Sequence, residues 1–235
     1  MFSVFFRLGD DLSISSAIRA RLTASGSPFR ANDNIAAHLL PGEVEAIEAE
    51  ASGHVEALLR SLVIDVDHDH NTAETARRVA KMYVREVFAG RYQAAPTVTS
   101  FPNVRQVDEV YAVGPIVVRS ACSHHMVPIL GNAWVGVIPG ERVIGLSKFS
   151  RIADWVMSRP QIQEEAAEQL ADAIGTALGD HRGLALVIRA RHLCCGWRGV
   201  RDQGQQMTTS VMRGFFKDDA KARAEFFSII QGMEF

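Results

Sequence analysis

The stretch Gly183-Leu184-Ala185-Leu186-Val187-Ile188-Arg189-Ala190-Arg191-His192-Leu193-Cys194 decides how this chain folds. Leu184, Leu186, Ile188 and Ala190 are apolar while Arg189 and Arg191 are charged, a period of two that belongs to a β-strand with a covered face. The same parity carries His192 and Cys194 to the apolar side, toward the interior. A core strand ending in an inward imidazole and an inward thiol is unusual for packing alone. Cys195 falls on the opposite face and reads as a bystander. Far upstream stands the matching half, Cys122-Ser123-His124-His125. A Cys-x-x-His pair with one distant Cys supplies three ligands of the kind zinc takes. Structural zinc sites close with four protein ligands, and catalytic ones keep a position for water, so three point to a zinc enzyme that activates water. The competing reading is that these are small buried hydrophobes, as free cysteines often are.

Outward from that strand the pattern is α+β. Ile162, Ala166, Leu170, Ile174 and Leu178 recur at four-residue spacing, which makes a long amphipathic helix. Pro160 can start it, since proline suits a first helical turn. A shorter helix begins after Gly145-Leu146-Ser147. Ala133 to Ile138 is apolar on both faces and reads as a strand, joined through Pro139-Gly140-Glu141 to Val143-Ile144 as a hairpin. A last strand near Met207 to Phe216 and a helix from Asp218 to about Ile230 follow Cys194.

Toward the N-terminus, Val44, Ile47, Val55, Leu58, Leu59 and Leu62 form a helical stripe. Asn71 followed by Glu74 resembles a capping box for a second helix running to Gly90. Asp65, Asp67 and Asp69 mimic the start of a calcium loop. The sixth and twelfth positions are His70 and Ala76 rather than the required Gly and Glu, so that reading is excluded and His68 and His70 are loop residues. Residues 1–40 show no sustained period and read as an extension, mobile or ordered by a partner subunit. The expected organisation is one domain over 41–235, with a helical lead over 41–108 and a core over 109–235.

Composition narrows the function. The chain has 235 residues, 47% hydrophobic and 22% charged, with a net charge of −2, an ordinary globular balance without the basic footprint of a general nucleic-acid binder. Three cysteines, two of them adjacent, make a poor disulfide framework and fit a reducing, cytoplasmic setting. The apolar opening Met1-Phe2-Ser3-Val4-Phe5-Phe6 is too short for a membrane span and has no basic leader, so neither a membrane nor a secretory role is expected.

Several blocks, in order, carry a resemblance. They are E-T-A-R-R-V-A-K-M-Y from Glu74, A-C-S-H-H from Ala121, G-L-S-K-F-S-R-I from Gly145 and R-P-Q-I-Q-E from Arg159. H-L-C from His192, R-G-V from Arg198 and F-K-D-D-A-K-A-R-A-E-F-F from Phe216 follow. Over roughly residues 44 to 230 the chain resembles the GTP cyclohydrolase I family, zinc enzymes that open pteridine biosynthesis. The resemblance implies the T-fold, an antiparallel sheet with two long helices on one face, and homodecamers of two pentameric rings. It implies zinc held by Cys122, His125 and Cys194, with His124 and His192 as catalytic histidines. Ser147, Lys148, Arg151 and Arg198 would grip the triphosphate of GTP. Gln163 and Glu164 would read the guanine edge, and Arg78 and Lys81 would come from a neighbouring subunit. The implied reaction opens the purine imidazole ring, releases formate and yields 7,8-dihydroneopterin triphosphate.

The chain also departs from that pattern. Ser123 stands where the family usually has Glu, Ala76 where it has Pro after Thr75, and Asp202-Gln203-Gly204-Gln205-Gln206 replaces a commoner Asn-Ser-Lys-containing loop. Two alternatives stay open: a paralogue acting on another purine nucleotide, and a catalytically silent, zinc-stabilised nucleotide-binding oligomer.

Overall fold

Why the chain folds as it does is clearest at its longest apolar strands. The computed structural model describes residues 13–233. They divide into two compact units, one up to Ala94 and one from Ala95 onward.

In the first unit, helices α1 (Ile14–Ala24), α2 (Glu43–Ser61), α3 (Thr75–Lys81) and α4 (Ala89–Tyr92) follow one another, with a π-helical turn over Met82–Val87. Within the expected extension over 1–40, residues 14–24 form α1 and residues 36–38 a single 3₁₀ turn. Ser13 caps α1 by accepting from the Ser16 N–H, and Ile18 and Leu22 are buried with Ile35, Ile47 and Tyr92 packed around them. Arg21 fixes this helix to α2 by a double hydrogen bond to Glu43, at 2.8 and 2.6 Å. Residues 1–12 lie outside the described part. The capping box does not form. Asn71 donates both its backbone and side-chain N–H to Asp69, and Glu74 pairs with Arg77, so α3 starts at Thr75 without a side-chain cap.

The second unit is built on a five-stranded sheet. Strands β1 (Ser100–Pro102), β2 (Tyr111–Cys122), β3 (Pro128–Pro139), β4 (Arg142–Ile144), β5 (Pro160–Gln161), β6 (His181–His192) and β7 (Met207–Gly214) occur in chain order. The large sheet runs β5-β2-β3-β6-β7, antiparallel except for the short parallel pair β2–β5. Two helices, α5 (Leu146–Met157) and α6 (Gln163–Leu178), pack on one face. Residues Ala166, Leu170, Ile174 and Leu178 of α6 are essentially sealed against Leu184, Leu186 and Ile188 of β6, as their spacing requires. This antiparallel sheet with two helices on one face is the T-fold.

Beyond Gly196, which ends the single turn α7 (Leu193–Gly196), the chain crosses to β7 and then to α8 (Phe215–Asp218) and α9 (Ala220–Gln231). These last helices cover the other face, with Phe216, Phe226 and Ile230 against Trp134, Ile138, Ala185 and Val187. Two expectations fail here for non-local reasons. Arg142–Ile144 does not hairpin back onto β3 but pairs with Ser100–Pro102, forming a separate two-stranded ribbon. Pro160 does not open α6: it is buried in β5, alongside Ala121 of β2, and the helix begins at Gln163.

Candidate metal centre and active site

Three chain segments meet at one end of the sheet. The first is the turn after β2. Cys122, 4% exposed, is the last residue of that strand, and its N–H donates to Val127 O while Met126 N–H donates back to Cys122 O. The turn closes with Met126 at φ 55°, and it pushes His124 and His125 out to solvent. The second segment is the end of β6, where His192 is opposite Ile129 of β3. Cys194 is not on the strand, as parity had suggested, but in the turn α7. The third is β5, whose parallel pairing with Ala121 and Cys122 delivers the first turn of α6 beside the same spot.

The ligand atoms of Cys122, His125 and Cys194 all lie within 4.8 Å of one another. Zinc bonds of about 2.0–2.3 Å place ligand atoms of one tetrahedron roughly 3.5–3.8 Å apart, so this donor set fits a divalent ion after shifts of roughly an ångström. Burial, together with the neighbouring Cys122 and Cys195 thiols, pushes the Cys194 thiol up to about 11. That thiol stays protonated by itself, and metal binding must release its proton. Cys195 is therefore adjacent to the centre rather than remote from it. His124 Nδ1 lies 3.7 Å from Cys122 Sγ. Arg198 Nη1 is 2.9 Å from His125 Nε2. A guanidinium only donates, so this nitrogen is the acceptor of the pair.

His192 is set by a residue that the sequence reading assigned elsewhere. Gln163 is fully buried, and its Nε2 donates to Ile188 O at 3.2 Å, Met207 O at 3.1 Å and Thr209 Oγ1 at 3.2 Å. Carbonyl oxygens only accept, which fixes the amide with Oε1 toward His192 Nε2 at 2.8 Å. That oxygen also only accepts, so Nε2 carries the proton and Nδ1 keeps the lone pair. Burial lowers the His192 pKa from 6.5, with the Glu164 charge working against it. The two residues expected at the guanine edge have different surroundings. Gln163 is sealed and committed to His192, whereas Glu164 is exposed at the start of α6. Its signal in the sequence was position alone: the first residue of a helix that follows a buried strand.

The remaining expected residues lie on two elements. Ser147, Lys148 and Arg151 occupy the first turns of α5, with Ser147 and Arg151 exposed and Lys148 Nζ donating to Thr97 O at 2.9 Å. Arg78 and Lys81 are on α3 in the first unit, and both are exposed. Ser123, where an acid was expected, donates its N–H to Gln161 O and so ties the turn to β5.

A T-fold sheet whose strand ends gather two thiols and three imidazoles defines a class, the T-fold proteins with a metal-ready cysteine–histidine centre. Comparison with known proteins narrows it. The model of GTP cyclohydrolase I matches residues 51–231. Relatives named GTP cyclohydrolase 1 include one from Aeromonas salmonicida, 40% identical over 92% of this chain and 95% of its own length. Another, from Mycobacteroides abscessus, is 42% identical over 80% of this chain and 97% of its own. This chain belongs to the GTP cyclohydrolase I family and is a hydrolase. Among solved structures, an apo archaeosine synthase QueF-Like aligns at 14% identity with a TM-score of 0.35, over 52% of this chain and 97% of that one. Likeness at that level carries no functional weight.

Proposed function

We propose that the chain opens the imidazole ring of GTP hydrolytically, releases formate and forms 7,8-dihydroneopterin triphosphate, with zinc as its cofactor. The observation that carries this reading is the convergence of Cys122, His125 and Cys194 beside a His192 whose tautomer is fixed by Gln163. A zinc ion held by those three side chains would supply acidified water at neutral pH for attack on the purine C8. His192, neutral with Nδ1 open, takes a proton and returns it to the departing ring nitrogen. His124, beside the Cys122 sulfur, serves as the second catalytic histidine. Glu164 accepts the adjacent N–H donors of guanine as a bidentate pair.

Ser147, Lys148, Arg151 and Arg198 hold the triphosphate. To do so Lys148 exchanges Thr97 O for phosphate oxygen, and Arg198 leaves His125. Arg78 and Lys81 reach the site of a neighbouring copy. Assembly into a decamer of two pentamers is supported by the open sheet edges. The outer side of β7 has no strand partner among the described residues, and β2 is paired on its outer side only at Ala121 and Cys122. Such edges seek another strand. A cytoplasmic setting fits three free cysteines and the lack, among the described residues, of a helix long and apolar enough to cross a membrane.

The test is to incubate zinc-loaded protein with GTP and follow formate together with the fluorescence of the oxidised pterin. Absence of formate from a folded, metal-loaded sample ends the proposal. Light scattering at the same time should report ten chains, and a monomer would remove the assigned roles of Arg78 and Lys81.

A further inference from the structure

The strand that ends in His192 has a second face, and that face is not fully covered. On β6 the even-numbered residues Leu184 to Ala190 are buried under α5 and α6, so Arg189 and Arg191 project from the opposite side. There α9 covers Trp134, Ile138, Ala185 and Val187 and then stops at Gln231. Just past its end lies a cavity of about 360 Å³ lined by Leu130, Asn132, Trp134, Arg189, Arg191 and Gln206 among others.

Two independent features of this cavity point to a ligand. Its lining is rich in donors and, among the described residues, contains no carboxylate. The guanidinium of Arg189 lies 5.8 Å from the Trp134 ring centre, and Arg191 spends one N–H on Gln203 O while a guanidinium offers several. The amides of Asn132 and Gln206 add further N–H groups. The second feature is Trp134 itself. It is 4% exposed, lines the cavity, and its Nε1–H has no hydrogen-bond partner among the described residues. A buried indole N–H normally finds an acceptor, and leaving it unpaired is costly.

We propose that this cavity binds a small oxyanion-bearing molecule, a phosphate or a carboxylate, on the face of the sheet opposite the cysteine–histidine centre. An oxyanion brings acceptors for the Trp134 indole N–H, the remaining N–H groups of Arg191 and the two amides, and guanidinium with oxyanion makes the strong, charge-assisted kind of hydrogen bond. The volume is that of a small-molecule site, with Leu130, Pro115 and Met233 as apolar wall. The site is separate from the triphosphate residues of the proposed function and does not depend on them. The two sites stand back to back, since Arg191 and His192 are neighbours on one strand and face opposite ways.

The experiment uses the full-length, metal-loaded assembly carrying Trp155→Phe and Trp197→Phe, which leaves Trp134 as the single indole of the chain. Its fluorescence is titrated with inorganic phosphate in one arm and benzoate in the other, at constant ionic strength so that screening does not change. A saturable change is expected in at least one arm, and the arm that responds identifies the oxyanion. Arg191→Gln or Gln206→Glu, both at exposed positions, should weaken it by roughly ten-fold or more. Lys148→Ala should leave it in place. No saturable change in either arm overturns the proposal. So does a response undiminished in both weakening variants, or one that vanishes with Lys148→Ala and so belongs to the other face.

Discussion

His192 stands at the end of a strand paired with β3 along its whole length, with its Nε2 bonded to a glutamine that solvent does not reach. His124 and His125 stand in a solvent-exposed turn held by a few backbone hydrogen bonds around Cys122. The sheet side of the centre is therefore set before anything binds. The turn side is free to adjust around an ion. The difference suits the roles: a proton-transfer group needs a fixed tautomer and direction, while ligands can be gathered by the metal itself.

Substitutions on each side test this contrast. The largest effect is expected for Cys122→Ala, which removes a ligand from the turn: metal content should fall with activity, read by metal analysis and formate release. His192→Ala should lower turnover by roughly 10²–10⁴-fold with the metal retained. If His192→Ala also lost the metal, the division between ligand and proton carrier would be wrong. Gln163→Ala should come next, lowering kcat by roughly 10–100-fold while KM for GTP changes little. A rise in KM with kcat intact would return Gln163 to guanine recognition. Glu164→Gln should do the reverse, raising KM by roughly ten-fold without altering thermal stability, because the side chain is exposed.

The smallest effect lies in the first unit and separates acid loss of activity from acid unfolding. The hydrogen-bonded Arg21 guanidinium draws the Glu43 pKa from 4.5 down to about 2. A depressed carboxylate contributes its stability in full above its unfolded value. That contribution is lost as pH falls from about 4.5 toward 2. Glu43→Gln should cost roughly 1–2 kcal/mol at neutral pH and flatten the acid limb of a denaturation series. An unchanged acid limb would show that the pair contributes little in water.

The parts of this fold that could be read from the sequence are those in which one strand or helix carries its own pattern. Alternation along β6 placed His192 inward, and four-residue spacing gave the buried stripe of α6. What escaped depends on partners distant in the chain. Arg142–Ile144 looked like the return strand of a hairpin because its true partner, Ser100–Pro102, precedes it by some forty residues. Pro160 resembled a helix start, since nothing local shows that Ala121 pairs with it. Asn71 does not cap the helix because Asp69, a carboxylate two residues away, takes its backbone and side-chain N–H groups. Gln163 beside Glu164 looked like a polar pair. Its side chain is internal because β6 and β7 arrive from far along the sequence to accept its hydrogen bonds.

The two-residue ladder between β5 and β2 has a consequence for how such chains can change over time. It fixes the point from which α6 departs, and each residue of a helix turns the next by about 100°. Loss of the one residue Ile162 would swing the glutamine out of its slot and bring the Glu164 carboxylate toward the histidine. Length drift should therefore be tolerated in the outer loops of this molecule and be lethal to turnover at that single junction.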